Sequence, residues 1–465
     1  MTIILTVANT STEVSNPIFF EPKTIMRSIG IGNSLLALVW AIISASSPLA
    51  SAESLLEVYE LALQNDLQYK ADLAAYQADV EAENISRGVL LPQINFSSRY
   101  DNDDSDTEVT SYSLNLQQAI IDYNAIYNYR SGKIRTQIAE VQLAADKQAL
   151  IIRSATTYFD VLGKLDQLRT SEAEEKALFT QLEQVRQRFE VGLVPINDVQ
   201  EIRAAYDSAR ADRLGDELNV ITAFEALTIL TGKDHRSIAP LDGSFLGSAP
   251  QPNNKENWIA AAKKNNLTLQ VNELTVETLR FDAKAAGANR YPKLTGRLSY
   301  SDTNTDTAEN TGDIDADGTS VQLNLNIPLY TGGNLSALQR QAEQNQVRAR
   351  EEFLFAQRNT IQRTRQLFFS VNNDIEQIKA RKQAIVSSES ALEATQAGYE
   401  AGTRDIVDVV NAQSNLFEAQ RNYFNALYGY ILDSLNLKNE SGSLSVKDLQ
   451  ELEKDLLKDK LVERI

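Results

Sequence analysis

The sequence predicts a mainly α-helical chain, written as an internal duplication and carrying a smaller β part of four strands. Three observations predict it. Landmarks recur along the chain: LLPQINFSSRY from Leu90 matches RYPKLTGRLSY from Arg290, SLNLQQAIIDY from Ser113 matches QLNLNIPLYTG from Gln322, and FEVGLVPINDV from Phe189 matches YEAGTRDIVDV from Tyr399. A repeat at this scale outranks local signals in a fold assignment. The ten prolines avoid residues 125–190 and 334–400 altogether, which leaves room for two very long helices. Four short stretches between the helical segments alternate apolar and polar residues with the period of a strand.

Taken in chain order, the first element is a targeting segment. Met26-Arg27 precedes the apolar run LLALVWAII (35–43), and Ala50-Ser51-Ala52 fits the small-residue pattern of a signal peptidase site. Residues 1–52 are therefore expected to be removed, with Glu53 as the mature start and Met26 as the expected initiator. The first repeat is placed at 53–250 and the second at 251–438, each running helix, two strands, long helix, returning helix; 439–465 is a tail. The proline-free segments are rich in Ala, Gln, Glu, Leu and Arg, and at 1.5 Å per residue each extends about 100 Å as a helix. Such lengths point to coiled-coil-like packing. Gly192 and Gly402 suit the left-handed residue that ends a helix, and helices return over 197–231 and 405–438.

The strand stretches have one greasy and one polar side. Ile94, Phe96 and Tyr100 alternate with Asn95, Ser97 and Arg99, and Tyr112, Leu114 and Leu116 with Ser113, Asn115 and Gln117. Leu294, Leu298 and Tyr300, then Val321, Leu323, Leu325 and Ile327, repeat the pattern in the second half. The polar side is Asn, Gln, Ser, Thr and Arg, so an apolar exterior around a wet interior describes a membrane barrel. Four strands cannot close a barrel, and open edges in lipid leave backbone groups unpaired. Several chains must share one barrel whose strand number is a multiple of four. The acidic stretches 101–111 and 302–318 are read as loops facing the external water.

Composition excludes much else. The formal net charge is −18, with no Cys and a single His, which argues against a nucleic-acid partner, a disulfide framework, a thiolate metal site and imidazole chemistry. His235, in the polar run GKDHRS, is read as a solvated loop residue. No set of nucleophile, base and orienting group appears, so no enzyme is expected. Asp313, Asp315, Asp317 and Gly318 reproduce half of a calcium loop, but Asn324 stands where the bidentate Glu belongs; no metal site or cofactor is assigned.

The duplicated order of helix, strand pair, long helix, glycine turn and returning helix, together with the blocks GTRDIVDV and VGLVPINDVQ and the LPQ and YPK before the strands, resembles the TolC family of outer-membrane efflux and secretion ducts. The resemblance implies a homotrimer: a long α-helical barrel in the periplasm continued by a twelve-stranded β-barrel, four strands per chain, held by outer membrane lipid. It also implies a periplasmic adaptor (membrane fusion) protein and an inner-membrane pump as partners, with the turn residues Gly192, Leu193, Gly402 and Thr403 as adaptor contacts. If three returning helices converge at the inner end, Asp405, Asp408 and Asn411 face the lumen as a pore constriction, while Ile406, Val409 and Val410 pack the helices. The family's two carboxylate rings fall on Asp408 and Asn411, so this chain retains one of the two acids. Arg404, Tyr399 and Asp198, with Asn197 beside them, match residues that link the helices in the closed state.

A periplasmic or surface coiled-coil scaffold without a pore is the rival reading. It accounts for the long helices and leaves the four two-sided strands unexplained. The connector 233–257 and the tail, with Ser445 suited to cap its helix, are expected to pack together outside the tunnel.

Overall fold

A computed structural model describes residues 53–102, 107–243, 245, 247–307, 314–457 and 462–463. The expected targeting segment lies outside them. Helices α1 (Leu55–Asn65), α2 (Leu67–Asp79) and α3 (Ala82–Gly88) lead into strands β1 (Gln93–Asn102) and β2 (Thr107–Ile121), followed by α4 (Tyr123–Glu190) and α5 (Ile196–Thr231). A short strand β3 (Ser237–Ile238) precedes the second copy: α6 (Lys255–Asn265), α7 (Leu267–Ala288), β4 (Lys293–Thr307), β5 (Ile314–Asn326), α8 (Asn334–Glu400) and α9 (Ile406–Glu440). The tail adds α10 (Val446–Leu452) and β6 (Val462–Glu463). Among these residues no helix is long and apolar enough to cross a membrane.

The long helices α4 and α8 have 68 and 67 residues, and each begins where capping or turn chemistry permits. Asp122 caps α4 by accepting from the Ala125 N–H at 3.1 Å, and α8 follows Gly333 in the left-handed region at φ 83°. In a protein such helices take most of their stability from a packed stripe rather than from propensity. The stripe is supplied in two halves: α4 packs on α7 and α5, and α8 packs on α7 and α9. The preceding helix of each repeat is not continuous, because Asp66 and Asn266 accept backbone N–H groups from Gln68 and Leu269 and start a new helix there.

The main core lies midway along the long helices, where Tyr158, Phe159 and Leu162 of α4 meet Leu55 and Val58 of α1, Phe224 and Leu227 of α5, Tyr428 and Ile431 of α9 and Leu449 of α10. A smaller core near the turns joins Leu182 and Val185 to Ile202, Ile406 and Val409. Within the main core the Tyr428 hydroxyl donates to buried Asp166 at 2.5 Å and Arg169 approaches the other oxygen at 2.8 Å. Burial raises Asp166 while these two partners lower it.

The four strands form one antiparallel sheet in the order β1-β2-β4-β5. Its register aligns Ile94, Leu116, Leu298 and Val321 across one row and Phe96, Leu114, Tyr300 and Thr319 across the next on the same side. Between them on the other side run Asn95, Asn115, Ser299 and Ser320. The outer strands β1 and β5 each pair on one side only.

Two sequence expectations need correction. The stretches 101–111 and 302–318 are mostly strand, not loop: β1, β2, β4 and β5 extend to Asn102, Thr107, Thr307 and Ile314, and only the tips between them lie outside the described residues. Asp315 and Asp317 stand in β5, with Asp317 opposite Asp302 and Asp315 opposite Asn304; an extended chain does not curl round an ion as a calcium loop does. Polar composition misled here because main-chain pairing does not need an apolar face. His235 is not a solvated loop residue: it is fully buried, with Nδ1 against the Glu53 carboxylate and Nε2 against the Thr231 hydroxyl. Glu53 also binds Lys233, and its main chain is held by the Ala239 N–H and bridges to Ile238.

The connector and tail do meet. β3 pairs antiparallel with β6, Leu241 bridges to Leu456, and the Leu457 N–H donates to Pro240 at 2.9 Å. Ser445 begins α10 in a reciprocal box with Asp448.

One seam titrates. Asp374 of α8 and Asp433 of α9 line a cavity of about 340 Å³ with Arg381, Asn422 and Asn425; one Asp374 oxygen is buried without a partner. Burial, then repulsion from Asp433, pushes Asp374 up to about 6 from 3.8, and burial raises Asp433 as well against a hydrogen bond from Ser370. Between those values the folded chain holds a proton the unfolded chain has released, so stability falls as pH rises through this window. Asp374→Asn is therefore expected to raise the melting temperature at pH 7.5 and to leave it nearly unchanged at pH 4; an equal change at both values would remove the carboxyl from the pH response.

Candidate functional site

The site is built from the two turns that end the long helices. At Gly192 and Gly402 φ is 75°, a conformation that places a Cβ against the following carbonyl and so favours glycine. Each turn closes by paired bonds: Gly192 N–H to Phe189 and Leu193 N–H to Arg188, then Gly402 N–H to Tyr399 and Thr403 N–H to Gly398. These satisfy the last carbonyls of α4 and α8 and leave Leu193, Gly192, Gly402 and Thr403 exposed at the ends of the hairpins.

The residues after Gly402 divide by helix face. Ile406 and Val409 are buried against the small core, Val410 packs beside them, and Asp408 and Asn411 lie on the opposite, more exposed side of α9. Asp405 is not part of that helical face. It is the residue before the helix, and its carboxylate accepts from the Asp408 N–H at 2.9 Å. An acid at this position is favoured by the helix dipole and by an otherwise unbonded N–H. Its carboxylate caps the helix from a position off the face that carries Asp408 and Asn411.

Tyr399 and Asp198 are brought together: the Tyr399 hydroxyl donates to Asp198 at 3.3 Å, joining α8 of one repeat to α5 of the other. Burial raises the Tyr399 phenol, and Asp198 adds to the rise. The Arg188 guanidinium lies over the same ring, 5.7 Å from its centre, a contact the sequence reading did not find. Its signal was available, since Arg188 stands one turn before Gly192. Arg404 does not meet Asp198 within the chain. Its Nη1 is 3.5 Å from Asp408 one turn on, and its stem lies over Gly398, where a Cβ would come within 2.8 Å of Arg404 Cγ. Asn197 is exposed beside Asp198. The arrangement supplies charge and hydrogen bonds at the hairpin ends.

A family model described as outer membrane efflux protein matches residues 58–233 and 258–443. The chain is 35% identical over 408 residues to the outer membrane protein TolC of Vibrio cholerae serotype O1, covering 86% of this chain and 93% of that protein. It is 34% identical over 433 residues to the outer membrane protein TolC of Escherichia coli K12, covering 90% of this chain and 87% of that protein. Its fold is similar to that of the Campylobacter jejuni CmeC outer membrane channel, with a TM-score of 0.74, 16% identity and coverage of 88% of this chain and 91% of that one.

Proposed function

Because the chain belongs to the outer membrane efflux protein family, we propose that it works as a homotrimeric exit duct of the outer membrane, with a periplasmic helical tunnel. The observation that carries closure by several copies is the sheet itself: four strands with an apolar row of Ile94, Leu116, Leu298 and Val321 on one side and two singly paired edges; the number three rests on the resemblance to the family. Unpaired edges cost several kcal/mol per group in lipid, and pairing β5 of one copy with β1 of the next closes twelve strands with no edge left.

The rest of the reading follows the chain inward. The exposed turns at Gly192, Leu193, Gly402 and Thr403 suit contact with a periplasmic adaptor that couples the duct to an inner-membrane pump. Asp408 and Asn411 form the constriction, Asp405 fixes the start of the helix that carries them, and Tyr399–Asp198 with Arg188 restrains the hairpins. Arg404, held to Asp408 in the single chain, contributes with Asn197 to the closed state. Transport, not catalysis, is the activity, and the cargo is small molecules, secreted protein or both, chosen by the pump.

Two measurements test this together. Native mass spectrometry from mild detergent is expected to give a trimer, and planar bilayers are expected to show discrete single-channel steps. A monodisperse monomer of full helical content, without conductance, would overturn the duct. Loss of a deletion strain's drug resistance without loss of secreted protein would assign small molecules; the reverse would assign secretion.

A further inference from the structure

Gln413 is an anomaly in an otherwise apolar packing layer. It is 3% exposed, its Nε2 has no hydrogen-bond partner, and a buried amide donor left unpaired is unfavourable enough to need a reason. It lines a cavity of about 580 Å³ between α4, α8 and α9, within the range of small-molecule sites. The cavity follows α4 from Ala173 to Arg188, a length of about 22 Å at 1.5 Å per residue.

The lining has a plain division. Val185, Val409, Phe417 and Leu392 give an apolar floor in which Gln413 is the polar member. The rim carries Lys176, Arg188 and Glu400, with the neutral amides of Gln181, Gln184 and Gln396 between them. Arg188 is occupied with the Tyr399 ring and lies near Glu400 at the turn end, whereas Lys176 stands at the far end on a long flexible stem. A group that accepts from Gln413 Nε2 while carrying negative charge toward Lys176 answers both features, because an ionised carboxylate accepts hydrogen bonds and donates none. The apolar floor then takes a hydrocarbon body.

We propose that this cavity is a binding site for linear amphipathic monoanions, a carboxylate head held by Gln413 and Lys176 and an acyl-like tail lying on Val185, Val409 and Phe417. The site faces away from Asp408 and Asn411 on α9, so its ligand is not cargo in the lumen. It abuts Tyr399, which gives an occupant direct contact with the residue that links α8 to α5.

The chain has no cysteine, so Gln396→Cys places a single thiol on the rim. The rate at which a maleimide labels it in the detergent-purified protein is the readout, with octanoate, octylammonium and octanol as probes of equal length. Octanoate is expected to slow labelling saturably, with the other two giving no protection. Adding Gln413→Met, which keeps the volume and removes the donor, should raise the half-protecting octanoate concentration about tenfold, as loss of a charged hydrogen bond does, while its melting temperature in the absence of probe stays at or above the parent's. Adding Lys176→Gln, an exposed change, should raise that concentration as well. Equal protection by octylammonium or by octanol, no protection by octanoate, or a half-protecting concentration unmoved by both substitutions would overturn the site, and none of these outcomes bears on trimer formation or conductance.

Discussion

Asp408→Asn is expected to remove most of the cation preference of the open channel, and Asn411→Asp to increase it. In the proposed trimer, three ionised Asp408 side chains around a narrow axis, bounded by protein of low dielectric, would concentrate cations far more than the same charges would in bulk water. The structure adds a constraint on size. Arg404 Nη1 stands 3.5 Å from the Asp408 carboxylate, with both side chains substantially exposed, so part of the ring's field is cancelled locally. Arg404→Ser should therefore raise cation preference above the wild type by unmasking the same carboxylate, an effect opposite in sign to that of Asp408→Asn. Asp405→Asn should change selectivity least, since that carboxylate stands before the helix and off the face that carries Asp408 and Asn411. Reversal potential under a salt gradient measures all four, and the differences should shrink toward 1 M salt, where the Debye length is about 3 Å. Unchanged selectivity in Asp408→Asn would mean that this face of α9 does not line the pore.

The second large effect is on stability, and the duplication supplies its own control. Gly232 and Gly442 end the returning helices of the two repeats, both with φ 69°. At Gly232 an added Cβ would meet only the Asn65 Cβ at 3.3 Å, but at Gly442 it would lie 2.2 Å from the main-chain carbonyl oxygen of Asn265. Both substitutions by Ala incur the left-handed penalty of about 1–2 kcal/mol. Only Gly442→Ala must also displace backbone, which places its total above about 4 kcal/mol, in the range of single changes that disrupt folding. Thermal unfolding of the two variants should rank Gly232→Ala well above Gly442→Ala; equal melting temperatures would show that the α9–α6 junction yields more easily than its packing implies.

The candidate site was partly legible in the same terms. The turn glycines, the buried Ile406 and Val409 and the exposed Asp408 and Asn411 followed from helical spacing after a glycine. The Tyr399–Asp198 bond came from the resemblance, since the two residues lie on different repeats and no local pattern joins them. Gln413 escaped notice because a glutamine on a long helix reads as solvated surface unless the helix packed over it is known, and Arg188 because only its place one turn before Gly192 marked it out.

What the sequence determined by itself is the set of features with short-range causes. Proline exclusion and glycine ends defined α4 and α8, period-two alternation defined the faces of the four strands, and recurrence of the landmarks defined the duplication. The tertiary structure decided what depends on partners far along the chain. The strands run past their apolar stretches because β2, β4 and β5 continue to pair main chain to main chain where side chains are polar, and backbone hydrogen bonding does not need greasy residues. His235 is buried because Glu53, some 180 residues away, brings a carboxylate to it. Asp374 is pushed up to about 6 because packing against α9 buries it and then sets Asp433 beside it. In each case the deciding quantity is the local surroundings of a polar group, which long-range packing creates and local composition does not contain.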